Sequence, residues 1–179
     1  MKLPATPSPC CVRRDLVFAL AGTTLVALLG SGCSVSNFAA IGDLPGLADS
    51  DGEIVTVQSL SRVNGFRSSN QRDPLAPGRA ASRAALAHAR AMAASGLMRH
   101  NIRAGDDFLT RMKKADVALP AAENIASGFD EINETLLAWE VSASHRSNLL
   151  DPRFRGFGVA VATNPRSQGR PFWAMVLSG

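Results

Sequence analysis

The sequence has no cysteine beyond position 33. Its three cysteines are Cys10, Cys11 and Cys33, and the remaining residues carry no thiol. A disulfide framework is therefore excluded from residues 34–179, and this part of the chain has to be stabilised by packing. A cysteine nucleophile is excluded there for the same reason.

Several motifs that would indicate a function are also missing. The chain has no Gly-x-Ser-x-Gly elbow, no phosphate-binding glycine loop, no His-Glu-x-x-His pair and no internal repeat. Residues 33–179 contain 16 Lys and Arg against 14 Asp and Glu, without a basic run or interleaved aromatics. This composition is that of an ordinary globular domain and indicates no nucleic-acid partner.

The N-terminal residues have the pattern of an export signal. Basic residues precede the apolar run Leu16–Leu29, whose 14 residues are short for a membrane span. Gly30-Ser31-Gly32 then leads to Cys33. We predict a signal peptide over residues 1–32 that ends at a lipobox, with Cys33 as the acylated first residue of a bacterial lipoprotein.

Two features qualify this prediction. Gly30 stands where a lipobox usually has leucine, so an uncleaved membrane anchor is the alternative. Arg13-Arg14 also resembles a twin-arginine export signal, which leaves the export route open.

The part of the chain that follows has the length of one domain. Removal of residues 1–32 leaves 147 residues, enough for a full hydrophobic core. Residues 33–53 are predicted to hold the lipidated cysteine and a flexible tether rich in Ser, Gly, Asp and Pro. Residues 54–179 are predicted to form the folded domain.

The first half of this domain has helical patterns. Ile54–Asn70 carries an apolar stripe with a spacing of three: Val57, Leu60, Val63 and Phe66. Arg79–Ser95 is rich in helix formers, and Gly96 follows it as the expected terminating residue. One face of that helix is small and buried, comprising Ala81, Ala84, Ala85, His88, Ala89 and Met92. A third short helix is predicted from Asp106 or Asp107 to Ala115.

The second half is predicted to be mostly strands. An extended segment spans Ala122–Ser127, and a helix capped by Asp130 reaches Ser142, with Ile132, Leu136 and Trp139 buried. Gly156–Thr163 and Phe172–Ser178 are β-branched and aromatic runs joined as a hairpin. Helices first and an antiparallel sheet last predict an α+β fold.

Seven short motifs, in order, resemble the bacterial branch of the CAP superfamily (SCP domain; cysteine-rich secretory, antigen 5 and pathogenesis-related proteins). They are Val63-Asn64-x-x-Arg67, Ala85-x-x-His88-Ala89-x-x-Met92, His100, Arg111 with Ala115, Glu123-Asn124-Ile125-Ala126-x-Gly128, Trp139-x-x-Ser142-x-x-His145-Arg146-x-Asn148, and Gly156-x-Gly158-Val159. The resemblance implies a single-domain, three-layer α-β-α sandwich with a central antiparallel sheet.

The resemblance also implies a cleft. Eukaryotic members place two histidines and two glutamates there, sometimes with zinc. His100 and Glu123 match the first histidine and the first glutamate, whereas the second glutamate has no counterpart. The bacterial pattern puts Ser142 and His145 in place of the last histidine motif. We therefore take His100, Glu123, His145 and Ser142 as cleft candidates, and a zinc site formed by His100, Glu123 and His145 stays open as an alternative.

Other residues of these motifs are predicted to have structural roles. Glu123 in a partly buried segment needs a partner, for which His100, His145 or Arg146 could serve. Asn124, Trp139, Arg146 and Asn148 are expected to support the site. His88, within the alanine stripe, is expected to be a core histidine bonded to the backbone.

The function predicted from these observations is that of an exported lipoprotein of the bacterial cell envelope, facing the periplasm or the exterior and held to the membrane by its lipid. Its domain is expected to be a non-enzymatic module that binds a small hydrophobic ligand or a protein partner. A hydrolase dependent on His and Glu or on a metal, and a purely structural surface module, are the alternatives.

Overall fold

The computed structural model describes residues 47–179 of the chain. The predicted export signal, the lipidation site Cys33 and the tether up to residue 46 lie outside the described residues. Within residues 47–179, no helix has the length and apolar character needed to span a bilayer.

The described residues form five helices and five strands. In chain order they are β1 Asp51–Ile54, α1 Thr56–Ser69, β2 Ala76–Pro77, α2 Arg79–Ser95, α3 Phe108–Lys114, β3 Ala121–Ser127, α4 Ile132–Val141, α5 Ala143–Leu149, β4 Gly156–Thr163 and β5 Phe172–Ser178. A short 3₁₀ turn, Pro165–Ser167, lies in the loop between β4 and β5.

The strands form one sheet in the order β1-β4-β5-β3, in which each neighbouring pair is antiparallel. The two-residue strand β2 adds a parallel contact at the start of β4. Among the described strands, β3 pairs with β5 alone and is therefore an edge strand. On its unpaired edge, Asn148 donates to the carbonyl of Glu123 and Trp139 donates to that of Ile125. Such coverage protects an edge strand from pairing with another chain.

Helices cover both faces of the sheet. Alternate residues of β4 and β5 point to opposite faces, so each face has its own hydrophobic core. Helices α2 and α3 pack on the face that contains Ala160, Ala174 and Val176. Helices α1, α4 and α5 pack on the other face, against Val159 and Trp173. The three-layer α-β-α sandwich expected from the sequence is confirmed.

Helix α2 lies unusually close to the sheet because both surfaces are small. Its predicted alanine face is buried, and Gly96, with a φ of 68°, ends the helix in the left-handed conformation. Gly158 of β4 lies directly under this helix. A Cβ atom at this position would be 2.1 Å from the backbone nitrogen of Ser82. Only glycine therefore allows this distance between helix and sheet.

The chain between residues 51 and 57 differs from the sequence prediction. Asp51–Ile54 forms strand β1, so the predicted tether to residue 53 and the helix start at Ile54 are wrong here. Val57 is 72% exposed, although the apolar stripe placed it inside. The inward face carries Thr56 instead, whose hydroxyl bonds to Ser82 and accepts from the Val159 amide. A strict spacing of three drifts around an α-helix, which has 3.6 residues per turn.

The region around Ser142 also differs. The residue before α4 is Glu131, not Asp130 as predicted, and α4 ends at Val141. Ser142 is a non-helical break, after which α5 begins at once. His145 therefore lies within a helix, whereas the sequence placed it in the turn after one.

We expect Gly158→Ala to destabilise the domain by about 2 kcal/mol or more, because the added methyl group overlaps helix backbone, which cannot move aside like a flexible side chain. Gly65→Ala is the matched control. Gly65 lies on the exposed face of α1, with no atom within 4 Å of the added methyl. It should gain up to about 1 kcal/mol from helix propensity. Urea unfolding of both variants checks the pair, and equal stabilities would contradict the close packing.

Candidate functional site

Glu123 is the buried charge around which the candidate site is built. It lies in β3, on the side of the sheet that packs against α2 and α3, and its side chain is 2% exposed. An unpaired carboxylate at such a position would cost several kcal/mol. Three side chains surround it: Arg111, His100 and His88.

Arg111 holds the carboxylate with two parallel hydrogen bonds. Its Nη1 donates to Glu123 Oε2 and its Nη2 donates to Oε1, each at 2.9 Å. This fork arrangement is the strongest type of pairing between the two groups. Nη2 also donates to the backbone carbonyl of His100 at 3.0 Å, and the guanidinium lies 5.7 Å from the Phe108 ring centre. Helix α3, capped by the Asp107 side chain, positions this arginine.

His100 joins the buried carboxylate to the surface. Its Nδ1 lies 2.9 Å from Glu123 Oε1, and its side chain is 53% exposed. Because a carboxylate only accepts, Nδ1 carries the proton in this contact. In the neutral ring, Nε2 is then the acceptor, on the side away from Glu123. His100 follows the end of α2 and is the accessible member of the group.

His88 lies on the buried face of α2, on the inner side of the carboxylate. Its Nε2 is 3.0 Å from the carbonyl of Arg99 and 3.5 Å from Glu123 Oε1. Both neighbours only accept, so Nε2 carries the proton. Burial lowers the pKa of His88 to about 4, and the attraction of Glu123 does not offset this. At neutral pH the ring is uncharged, so the contact with Glu123 is not an ion pair.

Two opposing effects act on the pKa of Glu123. Burial acts to raise it, while the hydrogen bonds from His100 and Arg111 and the charge of Arg111 act to lower it. The second group prevails, and the pKa lies below the ordinary value. The carboxylate is therefore ionised and charge-matched at neutral pH.

The structure separates His145 from Glu123. Successive residues of β3 point to opposite faces, so Asn124 faces α5 while Glu123 faces α2 and α3. Asn124 donates to the backbone carbonyl of His145 at 3.2 Å and accepts from Asn148 at 2.9 Å. The Glu123 carboxylate accepts from His100 and Arg111. Among the described residues, it has no hydrogen bond or ion pair with the His145 ring. Partial burial, followed by repulsion from His100, lowers the pKa of His145.

The other predicted residues contact groups outside the carboxylate cluster. Arg146 donates to Asn70 Oδ1 at 2.8 Å and to the Glu140 carbonyl at 3.3 Å, and lies over the Phe66 ring at 4.9 Å. It is thus not a partner of Glu123. Ser142 occupies the junction of α4 and α5 without a capping hydrogen bond from its side chain. Trp139 is buried between α4 and β3.

The residues do not fit the zinc alternative. Both oxygens of Glu123 are engaged by a guanidinium, which a metal ion would have to displace. Within residues 47–179, no group of three or more His, Cys, Asp or Glu side chains has an arrangement that could hold a metal ion. The set His100, Glu123 and His145 is therefore not a ligand set in this arrangement.

Sequence reasoning missed two members of the site. Arg111 belongs to one of the motifs that resemble the family, but that motif assigns it no role. The available signal was that a buried glutamate requires a cation, which Arg111 of α3 could supply. His88 was correctly expected in the core, but its proximity to Glu123 depends on the packing of α2 over β3. The spacing of 35 residues between them carries no signal of this contact.

The candidate site lies in neither of two concavities that the described residues form. These two concavities have volumes of about 410 and 210 Å³. The first lies at the end of α5 and the second at the β1–β4 edge. His100, Glu123, Arg111 and His88 line neither of them.

The chain is similar in sequence to one protein family and similar in fold to several solved structures. The model of the cysteine-rich secretory protein family, CAP, matches residues 60–177, more than half of the chain. None of the curated proteins matches.

Solved structures of bacterial proteins share the fold. An extracellular protein containing a SCP domain from Bacillus anthracis is 24% identical, with a TM-score of 0.60 over 69% of this chain and 39% of that one. An outer surface protein from Borrelia burgdorferi is 18% identical, with a TM-score of 0.59 over 72% of this chain and 98% of that one. A cysteine-rich secretory protein from Staphylococcus aureus is 17% identical, with a TM-score of 0.52 over 69% and 38%. The chain thus spans about two fifths of the Bacillus and Staphylococcus proteins.

Removal of the guanidinium should be costly. We expect Arg111→Met to lower the free energy of unfolding by about 3 kcal/mol, because Glu123 is left buried without its bidentate partner. Glu123→Gln should cost less, since the remaining arginine is closer to solvent. In a double-mutant cycle, the combined variant should lose less than the sum of the single losses. Additive losses would contradict a direct pairing.

Stability should fall as the pH is lowered from 6.5 to 4. A buried His88 with a folded-state pKa of about 4 resists the proton that the unfolded chain takes up near pH 6.5. The contribution of neutral His88 to the free energy of unfolding is complete above pH 6.5 and decreases by up to about 3 kcal/mol by pH 4. The lowered pKa of Glu123 adds a further loss of stability as the pH falls below about 4.5, the pKa of a glutamate in the unfolded chain. Urea unfolding across this range should show a shallower slope for His88→Gln, and an unchanged slope would refute the assignment.

Proposed function

Since this chain belongs to the cysteine-rich secretory protein (CAP) family, we propose that it is an exported, non-enzymatic binding module of the bacterial cell envelope. Residues 1–32 have the pattern of an export signal, and Cys33 is the lipid attachment site in this proposal. The Bacillus and Borrelia proteins of the same fold are described as an extracellular and an outer surface protein, which agrees with export.

The observation that carries this proposal is the engagement of Glu123. A general base needs a lone pair directed at its substrate and a pKa near the working pH. Glu123 instead accepts two hydrogen bonds from Arg111 and one from His100, and its pKa is lowered. Such a carboxylate holds neighbouring groups in place and is a weak base. Its arrangement suits a rigid binding surface better than proton transfer.

The accessible part of this surface combines one imidazole with apolar side chains. Leu97 and Met98, next to His100 in the chain, are about half exposed, as is Leu109 on α3. Arg111, two residues after Leu109, bonds to the His100 carbonyl and so ties the two segments together. We call Leu97, Met98, His100 and Leu109 the His100 surface. Small ligands usually occupy clefts, whereas exposed apolar groups of this kind suit contact with another protein. We therefore favour a protein partner.

A hydrolase is the second candidate, and one observation favours it. Glu123 orients His100 so that Nε2 faces away as an acceptor, which is how a carboxylate positions a catalytic histidine. Among residues 47–179, however, no hydroxyl or thiol forms a hydrogen bond with His100. The nucleophile of such a hydrolase would have to be water.

The test is co-purification of the full-length chain from envelope fractions. We expect His100→Ala and Leu97→Ser each to reduce the bound protein about 10-fold, the loss typical of a central interface residue. Leu137→Ser is the matched control, since Leu137 is similarly exposed on α4 in the opposite layer. Retention of the partner by all three variants would remove the His100 surface from the proposal. Turnover of an ester, peptide or glycan substrate that is abolished in His100→Ala would instead establish the hydrolase.

A further inference from the structure

The larger concavity, of about 410 Å³, lies where the chain leaves α5 and turns toward β4. It shares no residue with the His100 surface. Its lining combines two arginines with one aspartate, one serine and two apolar residues. The lining residues are Arg72, Ser147, Leu150, Asp151, Pro152 and Arg153.

A buried cation lies behind the wall of this concavity. Arg67 is fully buried, and its guanidinium donates to the carbonyls of Asp73, Leu149 and Asp151. The last two carbonyls flank Leu150, which lines the concavity. Nη2 of Arg67 has no hydrogen-bond partner among the described residues. No carboxylate of residues 47–179 contacts this guanidinium, so carbonyl dipoles balance its charge there.

The surrounding charges add to a positive excess. Arg72 and Arg155 lie close enough to Arg67 to lower its pKa further, after the larger effect of burial, while Asp73 and Asp151 oppose this. Together with Arg153, four arginines stand against two aspartates. The Asp151 carboxylate in the lining is neutralised, because Arg153 contacts both of its oxygens at 2.6 to 3.1 Å. The four arginines and two aspartates together leave an excess of two positive charges around the concavity.

Two of these arginines, Arg153 and Arg155, are also held in place. Arg153 is fixed by Asp151, and Arg155 donates to the carbonyls of Pro152 and Phe154 at 2.6 and 3.0 Å. Fixed donors lose little conformational entropy when an anion binds. A buried cation such as Arg67 acts on the concavity through protein of low dielectric, where its field is less screened than in water.

We propose that this concavity is a binding site for a phosphate group, contacted by Arg72 and Arg153 and stabilised by the field of Arg67. Free phosphate carries a charge of about −1.5 to −2 near neutral pH, which matches the excess of two positive charges, and a phospholipid phosphodiester carries about −1. The phosphate oxygens can accept hydrogen bonds from two arginines at once. A phospholipid headgroup and free phosphate share this chemistry, and Leu150 and Pro152 offer apolar contact to the acyl or glycerol part of the former.

The experiment is a titration of the full-length chain with inorganic phosphate, at ionic strength held constant with chloride, followed through the arginine Nε–Hε NMR signals. We expect saturable shifts with a dissociation constant on the order of 1 mM. Arg72→Gln and Arg153→Gln should each weaken binding about 10-fold, the loss expected for one charge-assisted contact. Arg83→Gln is the charge-matched control, since Arg83 lies on the exposed face of α2 in the opposite layer.

A second titration distinguishes the two sources. Short-chain phosphatidylglycerol below its micelle concentration should bind more tightly than phosphate if the ligand is a headgroup, and more weakly if it is free phosphate. Shifts that do not saturate, equal affinity in Arg72→Gln and Arg153→Gln, or an equal loss in Arg83→Gln would each overturn the proposal. None of these outcomes depends on the His100 surface, so the two proposals fail separately.

Discussion

The pairing of Glu123 with Arg111 is the interaction on which the α2–α3 side of the domain depends. It joins β3 to α3, and through the His100 carbonyl it also fixes the irregular segment that follows α2. Removal of one member of such a buried pair typically costs about 3–5 kcal/mol, a large share of the roughly 5–15 kcal/mol that stabilises a domain. The segment that presents Leu97, Met98 and His100 is therefore ordered by a charge interaction, since few of its own side chains are buried.

The alternation of side chains along β3 explains why the histidines do not form one cluster. Glu123 faces the layer of α2 and α3, where His88 and His100 lie, whereas Asn124 faces α5 and His145. One residue thus separates a charged site from an amide network that ties α5 to the sheet. Partial burial, and after it the nearby His100, lowers the pKa of His145, but only His100 is hydrogen-bonded to the carboxylate. A three-residue metal site would require both imidazoles to reach the carboxylate, whose oxygens accept from His100 and Arg111.

The sequence predicted the parts of this structure that depend on local pattern. The bounds of α2, β4 and β5 agree, because their periodicities and terminating glycines are determined by the segments themselves. The error at Val57 has a tertiary component, since the Thr56 hydroxyl bonds to Ser82 and to the Val159 amide. At Ser142 the prediction missed that a helix resumes after a one-residue break. His100 was a correct partner for Glu123, since the resemblance named both. Arg111 and His88 could not be assigned, because their contacts arise from the packing of α2 and α3 over one edge strand.

Satisfied and unsatisfied charges in this domain have different consequences. At Glu123, every oxygen has a donor and the net charge is close to zero, so the group stabilises a surface without attracting an ion. Around Arg67 the charge is not compensated by an ion pair within the described residues. Among the described residues, this fully buried guanidinium has carbonyl partners, and the arginines beside it outnumber the aspartates. An anion bound nearby would reduce the electrostatic cost of burying Arg67, so binding and folding would be linked there. The same physical rule, that a buried charge requires compensation, thus accounts for the rigidity of one site and for the ligand that we propose at the other.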